Sequence, residues 1–181
     1  MWILIAVLGV LVVGFVLAFN ALVRRRNEVD NAWSQIDVQL KRRHDLIPNL
    51  VEVVKDYMGY EQDVLQNVTQ ARNLAMQANT PAEAGRAEAR LSGALGNLFA
   101  VMENYPDLKA NQNVSQLQEE LTSTENKIAF ARQYYNDSVM RYNTKTQTIP
   151  TNIVASIGNF RQREFFETPE EEKAVPQVDL R

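Results

Sequence analysis

Apolar side chains recur along the middle of this chain with the stride of a packed helix. Val29, Trp33, Ile36, Leu40, Arg43, Ile47, Leu50, Val54, Tyr57, Glu61, Val64, Val68, Ala71 and Ala75 are separated by alternating steps of four and three. Twelve of these fourteen are apolar or aromatic. A seam of period 3.5 is the mark of a helix in a bundle or coiled coil. The pattern predicts one long helix from Asn27 to Asn79, with Arg43 and Glu61 laying their stems on the seam and keeping their charged heads in water. Pro48 interrupts it. Proline lacks an N–H, its ring collides with the carbonyl four residues back, here His44, and it pushes Ile47 away from helical angles. Either the helix bends near 44–48 and continues, or a second helix starts with Pro48 in its first turn and Asp45 as a cap. The unbroken heptad phase favours the bend.

Thr80-Pro81-Ala82-Glu83 combines a capping box with proline at the first helical position. It opens a second helix whose stripe is Ala84, Ala87, Leu91, Leu95, Leu98, Met102 and Tyr105. Gly85, Gly93 and Gly96 lower helix propensity there, and close approach of a neighbouring helix is their expected reason. Tyr105 to Asn113 reads as a turn. A third helix carries Leu117, Leu121, Thr124, Ile128, Ala131, Tyr135, Val139 and Tyr142, with a one-residue slip after Tyr135. Asp137 and Arg141 are spaced to pair on its exposed face. Short links near 79–81 and 105–112 imply antiparallel neighbours. Beyond Pro150, Asn152 is placed to cap a short turn holding Ile153, Val154 and Ile157, and Gly158 to end it. Phe160, Phe165 and Phe166 are expected to fold back onto the bundle end, although an exposed pair at Phe165 and Phe166 would be a candidate partner surface. Glu167 to Glu172 reads as an acidic turn and Ala174 to Arg181 as extended.

The N-terminal stretch has a different texture. Trp2 to Phe19 is unbroken apolar sequence, and the first charges are Arg24, Arg25 and Arg26. About 20 helical residues span a bilayer core. Trp2 at one end and the arginines at the other are the expected boundary residues, and the positive-inside rule puts the N-terminus outside and the rest in the cytoplasm. A cleaved signal peptide is the rival reading; the run is longer than the usual ~7–15 residues and no basic residue precedes it. The domain reading is therefore an anchor with basic flank over 1–26, a helical bundle over 27–148, and a short helix with extended tail over 149–181.

Charge and composition narrow the chemistry. Residues 27–181 hold 16 basic and 22 acidic side chains, a net of −6, which argues against a general nucleic-acid binder. The chain has no cysteine, which excludes disulfides, thiol catalysis and thiolate metal sites. His44 is the single histidine. A metal-binding helix would want a second His or a spaced carboxylate, and the residue three before it is Lys41, so no Glu-x-x-His is formed. His44 is expected to be structural, bonding a carbonyl freed near Pro48, with a pH-sensing or ligand role as the alternative. Lys41, Arg42 and Arg43 form a basic run suited to phosphate, lipid headgroups or RNA, but a solvated helix face paired with acidic neighbours is the favoured reading. Glu119, Glu120 and Glu125 could pair with Arg42 or Lys41, but ordinary solubilising charge is the preferred reading. No phosphate-loop, dinucleotide, nucleophile-elbow or zinc-protease motif is present.

WSQIDVQLKRRHDLIPNLVE at 33–52, YPDLKANQN at 105–113, ELTSTENKIAFARQYYNDSVMRYN at 120–143 and FFE at 165–167 closely resemble the LemA family of bacterial membrane-anchored proteins. The likeness covers nearly the whole chain after the anchor. One departure is Tyr60, where many members have His before the position of Glu61. The resemblance implies an N-terminal membrane helix, a cytoplasmic helical bundle, no established enzymatic activity, and company with membrane metalloproteases.

The expected fold is all-α: one transmembrane helix followed by an antiparallel up-and-down bundle of three to four long helices. The expected function is a non-enzymatic scaffold or adaptor of the bacterial inner membrane. The alternatives are a sensor moving at Pro48 and an enzyme of unfamiliar type. No catalytic residue, metal or cofactor is assigned. The expected partners are the lipid bilayer, further copies of the chain and a membrane protein such as a metalloprotease; nucleic acid is not expected.

Overall fold

A computed structural model describes residues 1–59 and 61–167. The readings at Tyr60, in the acidic turn beyond Glu167 and over Ala174–Arg181 lie outside the described residues. Among those described, the only regular elements are helices: α1 (Trp2–Lys55), α2 (Gln62–Met76), α3 (Pro81–Met102), α4 (Pro106–Lys109), α5 (Gln112–Gln147) and α6 (Thr151–Ile157). The chain forms two compact units. The first joins Met1–Asp37 to Phe130–Phe165; the second joins Val38–Ala129 to the segment starting at Phe166.

The stretch 27–148, expected as one bundle, is shared between the two units, and the second unit is a helical bundle packed along the predicted seams. Ile47, Leu50 and Val54 of α1, Val68, Ala71 and Ala75 of α2, Leu91, Leu95, Leu98 and Met102 of α3, and Val114 and Leu121 of α5 form one core. The long helix expected over Asn27 to Asn79 is, however, two helices. The amides of Tyr57 and Met58 both bond the carbonyl of Val54, at 3.1 and 3.0 Å, and close α1 there. The turn swings Met58 into the core and leaves Tyr57 exposed. In α2 the predicted stripe is kept at Val68, Ala71 and Ala75, but Leu65 is buried in place of Val64, which is only partly so. Pro48 does not break the helix: α1 runs through it.

The capping box forms at the start of α3. Thr80 Oγ1 accepts from the Glu83 amide at 3.2 Å, and the Glu83 carboxylate accepts from the Asn79 amide at 3.0 Å. YPDLKANQN is more than a turn, because α4 drives Leu108 into the core. Of the three α3 glycines, only Gly85 meets a close neighbour. A Cβ there would strike the backbone of Glu167, an incoming extended segment and not a helix, whereas Gly93 and Gly96 face open space.

In the first unit, Leu22, Val29, Ala32 and Ile36 of α1 and Tyr135, Val139 and Tyr142 of α5 are buried. The Trp33 ring packs on Tyr135 with centroids 5.5 Å apart. The extended segment 161–164 runs back along α5, held by three α5 side chains. Tyr135 donates to the Glu164 carbonyl and Tyr142 to the Arg161 carbonyl, both at 2.9 Å. Asn143 donates to the Arg163 carbonyl and accepts from its amide, again at 2.9 Å each. Arg141 reaches Glu28, at 3.9 Å. Helix α6 forms where the short turn was expected and ends at Gly158, but Pro150, not Asn152, holds its cap position.

Candidate functional site

The densest polar constellation lies inside the second unit, on the turn of α1 just before Pro48. Arg43 occupies a seam position, so its side chain is carried into the bundle. Its head is not wet, as the sequence pattern led one to expect. The Arg43 and Glu88 side chains are only 4 % and 6 % exposed and meet at 3.0 Å. The reason is geometric: Ala84, Glu88, Leu91, Leu95, Leu98 and Met102 also step by four and three, so Glu88 is a charged seam position on α3 facing the one on α1.

The surrounding groups complete the arrangement. His44 Nε2 lies 2.6 Å from the other Glu88 oxygen. Arg43 Nη2 donates to Ser92 Oγ at 2.9 Å, and Ser92 donates to Glu125 at 3.3 Å. Arg43 Nη1 also lies 2.8 Å from Glu125 Oε2 of α5; that oxygen is buried, although the Glu125 side chain as a whole is about half exposed. On this side the cluster opens into a cleft of about 230 Å³ lined by Leu95, Gly96, Phe99 and Leu121. Behind it, Arg72 of α2 donates its Nε–H to the carbonyl of His44 at 2.7 Å. That carbonyl is the acceptor which Pro48, lacking an N–H, cannot satisfy. Four helices thus converge within one turn of the proline.

Arg43 and Glu88, the two most deeply buried charges, are hydrogen-bonded to each other, which is the condition for keeping ions in a bundle interior, whereas the buried Glu125 Oε2 is held by charge alone. Among the described residues, no three His, Asp or Glu side chains are grouped to hold a metal ion. Glu88, Ser92 and Arg72 had gone unnoticed in the sequence; the signal was there for Glu88, in the second interruption of a heptad seam.

The other singled-out residues are dispersed. Lys41, Arg42 and Pro48 are exposed on α1, and Arg42 reaches Glu120 at 3.5 Å. Phe165 is exposed in the first unit, while its neighbour Phe166 is buried in the second. Phe160 is buried, with Arg26 stacked 5.3 Å from its ring centroid. Trp2 is exposed at the start of α1. Arg24 is exposed too, and Arg25 pairs with Glu28 at 2.7 Å. The apolar stretch that these residues bracket makes α1 the helix long and apolar enough to cross a membrane.

The sequence model of the LemA family matches residues 32–180. Protein LemA of Metamycoplasma hominis is 32% identical over 140 residues, covering 75% of this chain and 63% of its own length. Magnetosome protein MamQ 2 of Paramagnetospirillum magneticum is 23% identical over 175 residues, covering 82% of this chain and 64% of its own. MamQ of Magnetospirillum gryphiswaldense is likewise 23% identical, over 174 residues. The chain thus spans just under two thirds of the length of these relatives. With the match extending from the helix before Arg43 through the segment that folds back along α5, this chain belongs to the LemA family.

Proposed function

We propose that this protein is a membrane-anchored, non-enzymatic scaffold of the bacterial inner membrane, with its helical units in the cytoplasm. The observation that carries the reading is the continuity of α1: the apolar stretch, the arginine flank and the seam bearing Arg43 are one helix with no linker. Arg24, Arg25 and Arg26 favour the cytoplasmic side for everything after them. That one group of relatives is named for magnetosomes, an assembly and not a reaction, supports the same reading. The partners would be further copies of the chain or a membrane protein such as a metalloprotease.

The test is photo-crosslinking in native membranes from probes at Lys41, Arg42 and Phe165, all solvent-exposed. Defined oligomers or one recurrent protein adduct is the expected result. Monomer alone, from every probe position, would sink the scaffold reading. A second reading, a sensor that moves at Pro48, draws on Arg72 holding the His44 carbonyl. It predicts that Pro48→Ala alters a cellular output in a folded protein, and an unchanged output would remove it.

A further inference from the structure

We infer that α6 is a second membrane contact: it lies in the lipid–water interface beside the anchor, with Ile149, Ile153 and Ile157 inserted among the acyl chains. The inference rests on the reading of the start of α1 as a membrane span.

Three observations within the first unit carry it. The first is the face itself. Val154 and Ala155 are buried, whereas Ile149, Ile153 and Ile157 are 84 %, 59 % and 69 % exposed. Ile153 and Ile157, four apart, share one side of α6, and Ile149 stands exposed just ahead of its first turn. Three exposed isoleucines in nine residues make an apolar patch that water does not favour.

The second is depth. Counted from Trp2, a hydrocarbon core of about 30 Å is used up after about 20 helical residues, near Leu22 and just short of Arg24. Phe19 therefore sits just inside the boundary. Its ring meets Phe160 edge-on, with centroids 5.3 Å apart. A Cβ on Gly158 would lie 3.2 Å from the same ring. The end of α6 is thus at the level where acyl chains give way to headgroups.

The third is charge. No ionisable side chain occurs between Lys145 and Arg161. No acidic residue occurs in 1–27 or 138–163, which together hold Arg24, Arg25, Arg26, Arg141, Lys145, Arg161 and Arg163. Glu28 and Asp30 answer part of this charge, through Arg25, Arg141 and Arg163. An uncharged apolar stripe flanked by basic residues is the composition of an interfacial segment facing anionic lipid.

The chain has no native cysteine, so single cysteines introduced for spin labels report without background. The full chain is reconstituted in vesicles of phosphatidylcholine and phosphatidylglycerol. Labels are placed at Val13→Cys in the span, at Ile153→Cys and Ile157→Cys on α6, and at Phe130→Cys, an exposed apolar site about 22 Å along α5 from Lys145. Labels at 153 and 157 are expected to be accessible to oxygen and shielded from a water-soluble nickel chelate, as at 13, whereas 130 is open to the chelate. Chelate accessibility at 153 and 157 equal to that at 130, with 13 still in lipid, would overturn the inference alone. Shielding of 153 and 157 from both reagents would mean a protein covers the stripe, and would overturn it too. Chelate access at 13 would bring down the anchor reading and the inference together.

Discussion

Truncating Glu88 to Ala removes the one carboxylate that both Arg43 and His44 share. Arg43 Nη1 loses an acceptor at 3.0 Å and His44 Nε2 one at 2.6 Å, in a site from which water is nearly absent. Hydrogen bonds to charged groups contribute about 1.5–3 kcal/mol each, and breaking a buried ion pair by removing one partner costs about 3–5 kcal/mol. Arg43 keeps Glu125 at 2.8 Å and Ser92 at 2.9 Å, which places the loss toward the lower end. For a chain of this size each kcal/mol shifts the melting temperature by about 2–4 °C, so Glu88→Ala should lower it by on the order of 10 °C. The assay is thermal unfolding of the detergent-solubilised full chain, followed by circular dichroism at 222 nm. The informative companion replaces the set: Arg43→Met, His44→Leu and Glu88→Met together. The Glu125 side chain is about half exposed and can turn its buried oxygen out to water once Arg43 is gone. Apolar substitution of a complete buried ionic set is often neutral or stabilising. The triple variant should therefore melt well above Glu88→Ala. If Glu88→Ala melts within a degree or two of the parent, or the triple variant is as weak as the single one, the account of the cluster is wrong.

Other consequences are as direct. Pro48→Ala supplies an N–H to the His44 carbonyl, so Arg72→Met should cost roughly 1 kcal/mol in the parent and much less in the Pro48→Ala background, a coupling read by a double-mutant cycle in denaturant unfolding. Gly85→Ala drives a methyl into the Glu167 backbone and should release the segment after Arg163 to limited proteolysis, whereas Gly93→Ala, with open space around it, should leave digestion unchanged. Burial, opposed by the nearby Arg163 charge, pushes the Tyr135 phenol from 10.0 up to about 12. The folded chain thus keeps that proton between pH 10 and 12 while the unfolded chain loses it, so stability falls as pH rises through this window. Tyr135→Phe should flatten that part of the fall in urea midpoint.

The parts of this fold that were legible from sequence are those written in local chemistry. Thr80, Pro81 and Glu83 specify a helix start among themselves. The seam of α1 needs only its own period to reveal which face is buried. The break at 56–61 was hidden because the heptad phase continues on paper across it, and only the packing decides that Met58 and not Tyr57 turns inward. Glu88 was hidden because Ala87 offers an equally good apolar stripe; which of the two faces the core depends on Arg43 waiting opposite. Tyr135 and Tyr142 read as seam until the chain returns along α5, and Asn143 drew no reading, since the partners of all three are backbone groups that leave no trace in the sequence.

Arg43 and Glu88 also answer a question that the apolar seams leave open. Leu40, Ile47, Leu50 and Val54 on α1, and Ala84, Leu91, Leu95, Leu98 and Met102 on α3, are repetitive enough that sliding one helix by a heptad would still bring apolar against apolar. Such a slide moves Glu88 about 10.5 Å along α3, far beyond reach of Arg43. Both charges would then be buried opposite hydrocarbon, each uncompensated, at a cost of several kcal/mol per ion. The native register escapes that penalty, so the ion pair discriminates among alignments that apolar burial hardly distinguishes. Pro48 adds a second constraint of the same kind, because its unsatisfied His44 carbonyl fits only the alignment that brings Arg72 within 2.7 Å. Polar seam positions set register in coiled coils at some expense in stability. The triple apolar variant should accordingly show broader unfolding and slower side-chain ordering by NMR even where its melting temperature is high. A triple variant with parent-like cooperativity and a single set of sharp methyl resonances would assign register to the apolar side chains after all.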